Sequence, residues 1–417
     1  LLDFYCGKKI YDATSDSRKK LFVLTSAGLN LGVLGVFKYY DFFIGSFNAS
    51  LSYLGVQASL PLLHVILPLG ISFYTFQSLC YSIDVYRGQL KPCRNLVDFL
   101  LYVSFFPQLV AGPIERAGHI LPQVEQDRRV TWDGILTGVI LFSFGFFKKV
   151  ALGDNLARLV DPVYGDLSRA STADVALATF FFAFQIYADF SGYTDMARGL
   201  ARTMGFSLTI NFNSPYFSRS PVEFWERWHI SLSRWFKDYL YYPLAMHYLR
   251  KSTNAVSRYK AHLVSMALIG FWHGAAFKYL IFGVYWGVAI GLYIRFRPSI
   301  SRLNQITQTL LTFFVAYFGW VIFRIPKISD ISLLFQNVDI SPRILHFDNL
   351  FAFAIVMIGF LMLVDYIFYR YPNLKQKLAE LDKFVLLYLV VIFGVLLWAI
   401  SMASRPLENK EFIYFQF

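Results

Sequence analysis

Two histidines stand apart as groups able to move a proton: His229, in FWERWHISLSRW, and His273, in ALIGFWHGAAF. A neutral imidazole accepts a proton from a hydroxyl near pH 7, and burial favours that neutral form. The remaining histidines, His64, His119, His247, His262 and His346, fall near the ends of apolar runs or in loops. Other chemistries fit less well. Glu226-x-x-His229 has the spacing of half a di-iron carboxylate site, but that site needs a second copy and two further glutamates. No second Glu-x-x-His occurs, Cys6, Cys80 and Cys93 form no CxxC pair, and no G-x-S-x-G elbow is present. No metal is expected.

His229 belongs to PVEFWERWHISLSRWFKDYLYYPL, residues 221–244, the one long stretch that is aromatic, charged and histidine-bearing at once. Read as a single helix over 223–240, it sorts into two faces at about 100° per residue. Glu223, Arg227, Ser231, Arg234 and Asp238 share one arc, with Glu223–Arg227 and Arg234–Asp238 spaced for i,i+4 ion pairs. Trp225, Trp228, Trp235, Phe236 and Tyr239 fill the other, and His229 lies at its edge beside Ser233 and Glu226. Such a helix suits an interface, one face wet and one buried. Trp228 and Ser233, with Asn213 in the preceding NFNSPYF stretch, join the candidate site-lining residues.

The elements that must hold these residues are membrane helices. Hydrophobic residues make up 56% of 417, charged ones 16%, and the mean hydropathy is +0.46. Such a chain lacks the polar surface to be covered by water. Apolar runs of about 18 residues or more, enough to cross a bilayer, fall near 21–38, 61–84, 96–112, 133–152, 173–189, 261–277, 278–297, 305–324, 348–369 and 384–403. The net charge of +12 fits cytoplasmic loops and anionic lipid headgroups, with no nucleic acid implied. Basic residues before the first span and at Arg87, Lys91 and Arg94 put those segments in the cytoplasm, and the Lys- and Arg-free 39–60 loop outside. The opening LLDFYCGKK reads as though an apolar helix had just ended, so further helices are expected upstream.

Two of these runs carry helix breakers. LPLGISFYTFQ contains Pro68, Gly70 and Gln77, and FFPQLVAGPIER contains Pro107, Gln108, Gly112, Pro113 and Glu115. Such residues are tolerated at membrane depth where protein or a cavity covers them, so Gln108 is a candidate lining residue. In QIYADFSGYTDMARG, Gln185 and Asp189 share a helical face, and Asp189 either lines a site or ends its helix. Lys148 and Lys149 sit near a span end, where snorkelling accounts for them. Gly270 and Gly274 flank His273 in a small-xxx-small spacing that lets another helix approach.

Five blocks in order, LPLGISFYTFQSLCYSIDVYRG, FFPQLVAGPIER, QIYADFSGYTDMARG, NFNSPYFSRSPVEFWERWHISLSRWFKDYLYYPL and GFWHGAAFKYLIFG, resemble the membrane-bound O-acyltransferase (MBOAT) family, and within it the bacterial alginate and peptidoglycan O-acetyltransferase branch. The resemblance implies an all-α polytopic bundle around a transmembrane tunnel, about ten spans in this chain. One membrane domain covers 1–417, with a family-like core at 20–325 and further spans over 326–417. It implies that an acyl group, acetyl from acetyl-CoA, leaves a cytoplasmic thioester for an extracytoplasmic polysaccharide hydroxyl or a partner transferase. That reaction belongs to a bacterial cytoplasmic membrane and needs no tightly bound cofactor. His273 matches the family's catalytic position and His229 its second histidine, and Asp238 and Tyr239 help form the site. Where the alginate branch carries a glycine-rich turn after DYLY, this chain reads PLAMHYLRKSTN, which bears on the acceptor. D-alanyl transfer to teichoic acid is the alternative within chemistry, and a polysaccharide or lipid transporter the alternative outside it.

Overall fold

The computed structural model describes residues 1–57, 59–109, 112–251, 255–336, 338–372, 394–396 and 400. Among them all regular structure is helical, and six helices are long and apolar enough to cross a membrane. The run expected at 384–403 lies largely outside the described residues. The chain divides into two compact units, the first made of Leu1–Arg129 with Trp272–Ala276 and the second of the rest.

In the first unit, α1 (Leu2–Asp12), the long α2 (Asp16–Tyr53) and α3 (Ile71–Tyr86) meet at one buried carboxylate. Asp3 Oδ1 accepts from Ser26 Oγ at 2.5 Å, Asn30 Nδ2 at 2.8 Å and Ser82 Oγ at 3.3 Å. Three donors make the burial of that group tolerable. The runs at 61–84 and 96–112 are not continuous helices. Residues 59–68 have no regular structure, Gly70 takes a left-handed φ of 76° against the Leu109 carbonyl, and the helix starts only at Ile71. A side chain at Gly70 would collide with that carbonyl, so the break needs glycine. Helix α4 (Leu96–Ser104), capped by Asn95, stops at extended Phe105, and a single turn, Phe106–Leu109, follows. Protein covers the irregular backbone around Pro107 and Gln108, as a membrane requires, whereas 59–67 is exposed, so the cover expected for both broken runs is found only at the second. Gln77, Gln108 and Glu115 are buried, Tyr102 Oη lies 3.0 Å from the Gln77 carbonyl, and Gln108 Nε2 donates to the Tyr102 carbonyl at 2.8 Å. At the start of α5 (Ala117–Glu125), the Glu115 carboxylate, 2.7 Å from His119 Nδ1, holds that imidazole above the usual histidine pKa.

In the second unit, α6 (Trp132–Gly165) and α7 (Thr172–Thr203) run antiparallel. Gly138 opposes Gly199 and Gly145 opposes Gly192, so that a methyl on Gly199 would stand 2.6 Å from the Gly138 carbonyl. Ser171 and Asp174 form a capping box that starts α7. Then come α8 (Pro221–Arg227), α9 (Ile230–Phe236), α10 (Tyr242–Lys251), α11 (Ala255–His273), α12 (Phe277–Ile300), α13 (Gln305–Arg324) and α14 (Asn349–Arg370). Gly270 makes its close approach to the Tyr279 carbonyl and Gly283 of α12, while Gly274 lies beyond the end of α11. The core is aromatic: Phe224 stacks on Trp286 at 5.0 Å and on Trp228 at 5.6 Å, and Trp228 meets Trp320 at 4.9 Å.

Candidate functional site

The helix expected over 223–240 is two short helices with His229 in the break. Ser220 caps α8 and Pro221 opens it, since proline at the first helical position gives up no hydrogen bond. The helix ends at Trp228, and His229 takes φ 43° and ψ 55° before α9 begins. A non-glycine residue in that left-handed region costs about 1–2 kcal/mol and persists only where its surroundings impose it. Here a remote residue does so: Asn211 accepts from Ile230 N through its carbonyl at 2.9 Å and from Ser231 N through Oδ1 at 3.1 Å. These bonds replace those a continuous helix would have made. His229 is therefore fully buried, not at the edge of a wet face. Its Nδ1 lies 3.1 Å from Asn211 Oδ1, and the Phe190 ring meets it edge-on at 4.7 Å. The Glu223–Arg227 pair forms at 2.8 Å, whereas Glu226 is exposed.

Of the neighbours expected around His229, Trp228 is buried and its carbonyl accepts from Ser233 Oγ at 3.2 Å. Asp238 and Tyr239 lie on a π-helical turn, Lys237–Tyr241, with the Tyr239 ring 5.1 Å from Trp235. Asn213 is exposed and contributes its backbone, its amide donating to the Arg227 carbonyl at 3.0 Å; the buried asparagine is Asn211. Asp189 does not end a helix. It sits within α7, buried, 2.5 Å from Lys149 Nζ, which also holds Asp154 at 2.7 Å. Lys148, 4% exposed, lies 2.5 Å from Asp195 and 3.0 Å from Ser191 Oγ. Both lysines thus point into protein instead of snorkelling, because facing carboxylates replace the water they give up. Gln185 is buried on the same helix.

His273 and Gln108 belong to the first unit. His273 is the last residue of α11 and 7% exposed. A helix end leaves carbonyls without partners, and Lys38 Nζ reaches the Trp272 carbonyl at 2.5 Å and lies 3.4 Å from that of His273. A cation there also favours the helix dipole. Phe76 stacks on Trp272 at 5.5 Å and Phe73 meets it at 5.9 Å, so the residue before His273 is locked by rings and charge.

Three contributors were not anticipated. Lys38 and Asp365, a carboxylate within α14 that accepts from Tyr187 Oη at 2.6 Å, each carried a signal: a charge inside an apolar run. Asn211 carried none. The second unit also holds a cavity of ≈ 430 Å³ lined by Trp225, Ser233, Arg234, Tyr241, His262 and Ser265. Tyr241 Oη and His262 Nε2 are 3.0 Å apart in its wall. Ser265 Oγ and Trp225 Nε1 are buried without hydrogen-bond partners among the described residues.

Residues 93–325 match the MBOAT, membrane-bound O-acyltransferase family, more than half of the chain. The chain belongs to that family. A probable alginate O-acetylase from Pseudomonas aeruginosa is 40% identical over 413 residues, 98% of this chain and 73% of the relative. A peptidoglycan O-acetyltransferase from Helicobacter pylori is 32% identical, over 78% of this chain and 66% of its own length. A teichoic acid D-alanyltransferase from Bacillus subtilis is 30% identical, over 61% of this chain and 68% of its own length. The MBOAT region includes both histidines, Asn211, the Lys149–Asp189 pair and the cavity, while Lys38 and Asp365 lie outside it.

Proposed function

We propose that this MBOAT protein moves an acyl group, acetyl from acetyl-CoA, across a bacterial cytoplasmic membrane. The acceptor is an extracytoplasmic polysaccharide hydroxyl or a partner acetyltransferase that completes the transfer. His273 is the general base that takes the acceptor's proton. The observation that carries this assignment is a buried histidine closing a helix whose terminal carbonyls are held by a half-buried lysine, within a family that transfers acyl groups to oxygen. Such a group is shielded from water, and its position is set by Lys38 and two aromatic rings, as proton transfer in a fixed geometry requires. The cavity beside α9, with exposed Arg234 and Lys237 among its lining, supports a donor that joins an extended chain to negative charge.

The test supplies membranes containing the full protein with acetyl-CoA or, separately, with a D-alanyl carrier protein, and follows acyl groups on added polysaccharide. Acetyl product from acetyl-CoA is expected, and D-alanyl product alone would move the reading to the teichoic acid branch. His273→Ala is expected to lower transfer by about 100-fold or more, the usual contribution of a positioned base. Full activity in that variant, correctly inserted, rules out the assignment.

A further inference from the structure

We infer that Asn211 is a positioning residue that decides which ring nitrogen of His229 carries the proton, keeping hydrogen on Nδ1 and the lone pair on Nε2. Only the consequence for catalysis rests on the acyl-transfer reading; the tautomer is a property of the folded chain. Because α9 begins at Ile230, the amides of Ile230 and Ser231 find no acceptor within their own helix. Asn211 supplies both acceptors, its carbonyl for Ile230 N at 2.9 Å and its side chain for Ser231 N at 3.1 Å and Ser231 Oγ at 2.9 Å. A backbone N–H only donates, so the amide atom facing it must be oxygen; the flipped amide would set NH₂ against N–H. That same oxygen lies 3.1 Å from His229 Nδ1. An amide oxygen only accepts, so Nδ1 is the donor, and in the neutral ring Nε2 accepts.

The surroundings keep the ring in place. Asn211 and His229 are both fully buried, Phe190 stands perpendicular to the imidazole at 4.7 Å, and Phe212 lies nearly parallel at 6.4 Å. Asn211 Nδ2 has no hydrogen-bond partner among the described residues. An unsatisfied buried donor costs about 1–3 kcal/mol. A residue without the side-chain oxygen would lose the bonds to Ser231 and the tautomer together. In acyl transfer, Nε2 of His229 then serves as a hydrogen-bond acceptor toward a polar group that reaches it; with hydrogen on Nε2 instead, the ring would present a donor there.

The decisive measurement is ¹⁵N NMR of the full chain, histidine-labelled and held in lipid nanodiscs, with the His229 signals identified by their loss in His229→Gln. Expected for neutral His229 is a directly bonded hydrogen on Nδ1 and none on Nε2; the reverse pattern overturns the inference whatever the activity. Asn211→Asp keeps an oxygen and should keep the pattern, whereas Asn211→Leu should lose it. On activity, Asn211→Leu is expected to lower kcat by about 10- to 100-fold with the donor KM little changed, and Asn211→Asp to restore most of it. A protein whose Asn211→Asp variant loses the Nδ1 hydrogen, even if Asn211→Leu cannot be folded, also overturns it. If the wild-type spectrum is as expected but His229→Gln transfers acyl groups at full rate, the tautomer stands and the catalytic reading of His229 falls.

Discussion

Charged side chains packed among apolar helices are the residues whose placement most constrains this protein. Asp3, Lys38, Lys148, Lys149, Asp189 and Asp365 all lie within or against apolar helices, and each has a polar partner within 3.5 Å. Burial raises the energy of an unpaired charge far more than pairing lowers it, so removing one partner costs more than removing both. The pair formed by Lys149 and Asp189 is a direct test, because Asp189 precedes Phe190, the ring against His229. Lys149→Met alone should destabilise the protein by about 3 kcal/mol or more, as breaking a buried pair does. The double variant Lys149→Met, Asp189→Leu should recover part of that loss, leaving the Asp154 contact to account for the remainder. Thermal unfolding in detergent measures both, and equal losses in the single and double variants would show that the two side chains are not coupled.

At the scale of elements, three π-helical turns, Gly35–Tyr39, Lys148–Gly153 and Lys237–Tyr241, carry Lys38, the two inward lysines, and Asp238 with Tyr239. A π turn adds one residue to a helical turn and rotates everything after it, and such turns gather at functional sites. Hydropathy is blind to them, which explains why Lys148 and Lys149 read as snorkelling residues: on a regular helix they would continue to the membrane surface. It is equally blind to the break at His229, which a remote asparagine imposes, so the wheel over 223–240 placed the right residues near each other in sequence and the histidine on the wrong side of the boundary. The helices themselves and the breaks at Pro68 and Pro107 were legible, since composition and proline act locally, but the protein cover expected over both is present only at Pro107. The glycines between α6 and α7 are a middle case, visible as residues but not as pairs. Gly145→Leu should force those helices apart, lowering stability by about 2 kcal/mol and acyl transfer with it. Gly165→Leu, at a glycine with open space around it, should change neither. Comparable effects of the two on melting would remove the argument from close approach.

Across the whole molecule, contacts between segments far apart in sequence decide what can move. Asp174, fully buried, caps the start of α7 and also accepts from the amides of Arg343 at 2.8 Å, Ile344 at 3.1 Å and Leu345 at 2.9 Å, about 170 positions later. The Ala173 amide returns a bond to the Asp339 carbonyl at 3.1 Å, so a loop without regular structure of its own is held on the helix that carries Asp189 and Phe190. Nothing in the order of residues announces this contact, since a capping aspartate reads as local. One carboxylate with four backbone donors is a single point of failure, because its removal leaves several amides to find water. Asp174→Ala should therefore cost about 3 kcal/mol and make the exposed Arg343 a ready site for trypsin in an otherwise intact protein. Asp174→Asn, which keeps one accepting oxygen, should fall between. Cleavage at Arg343 at the same rate in all three proteins would mean that the loop is held by something other than this carboxylate. Slower acyl transfer in step with faster cleavage would show instead that the loop's anchorage reaches the residues around His229 through α7.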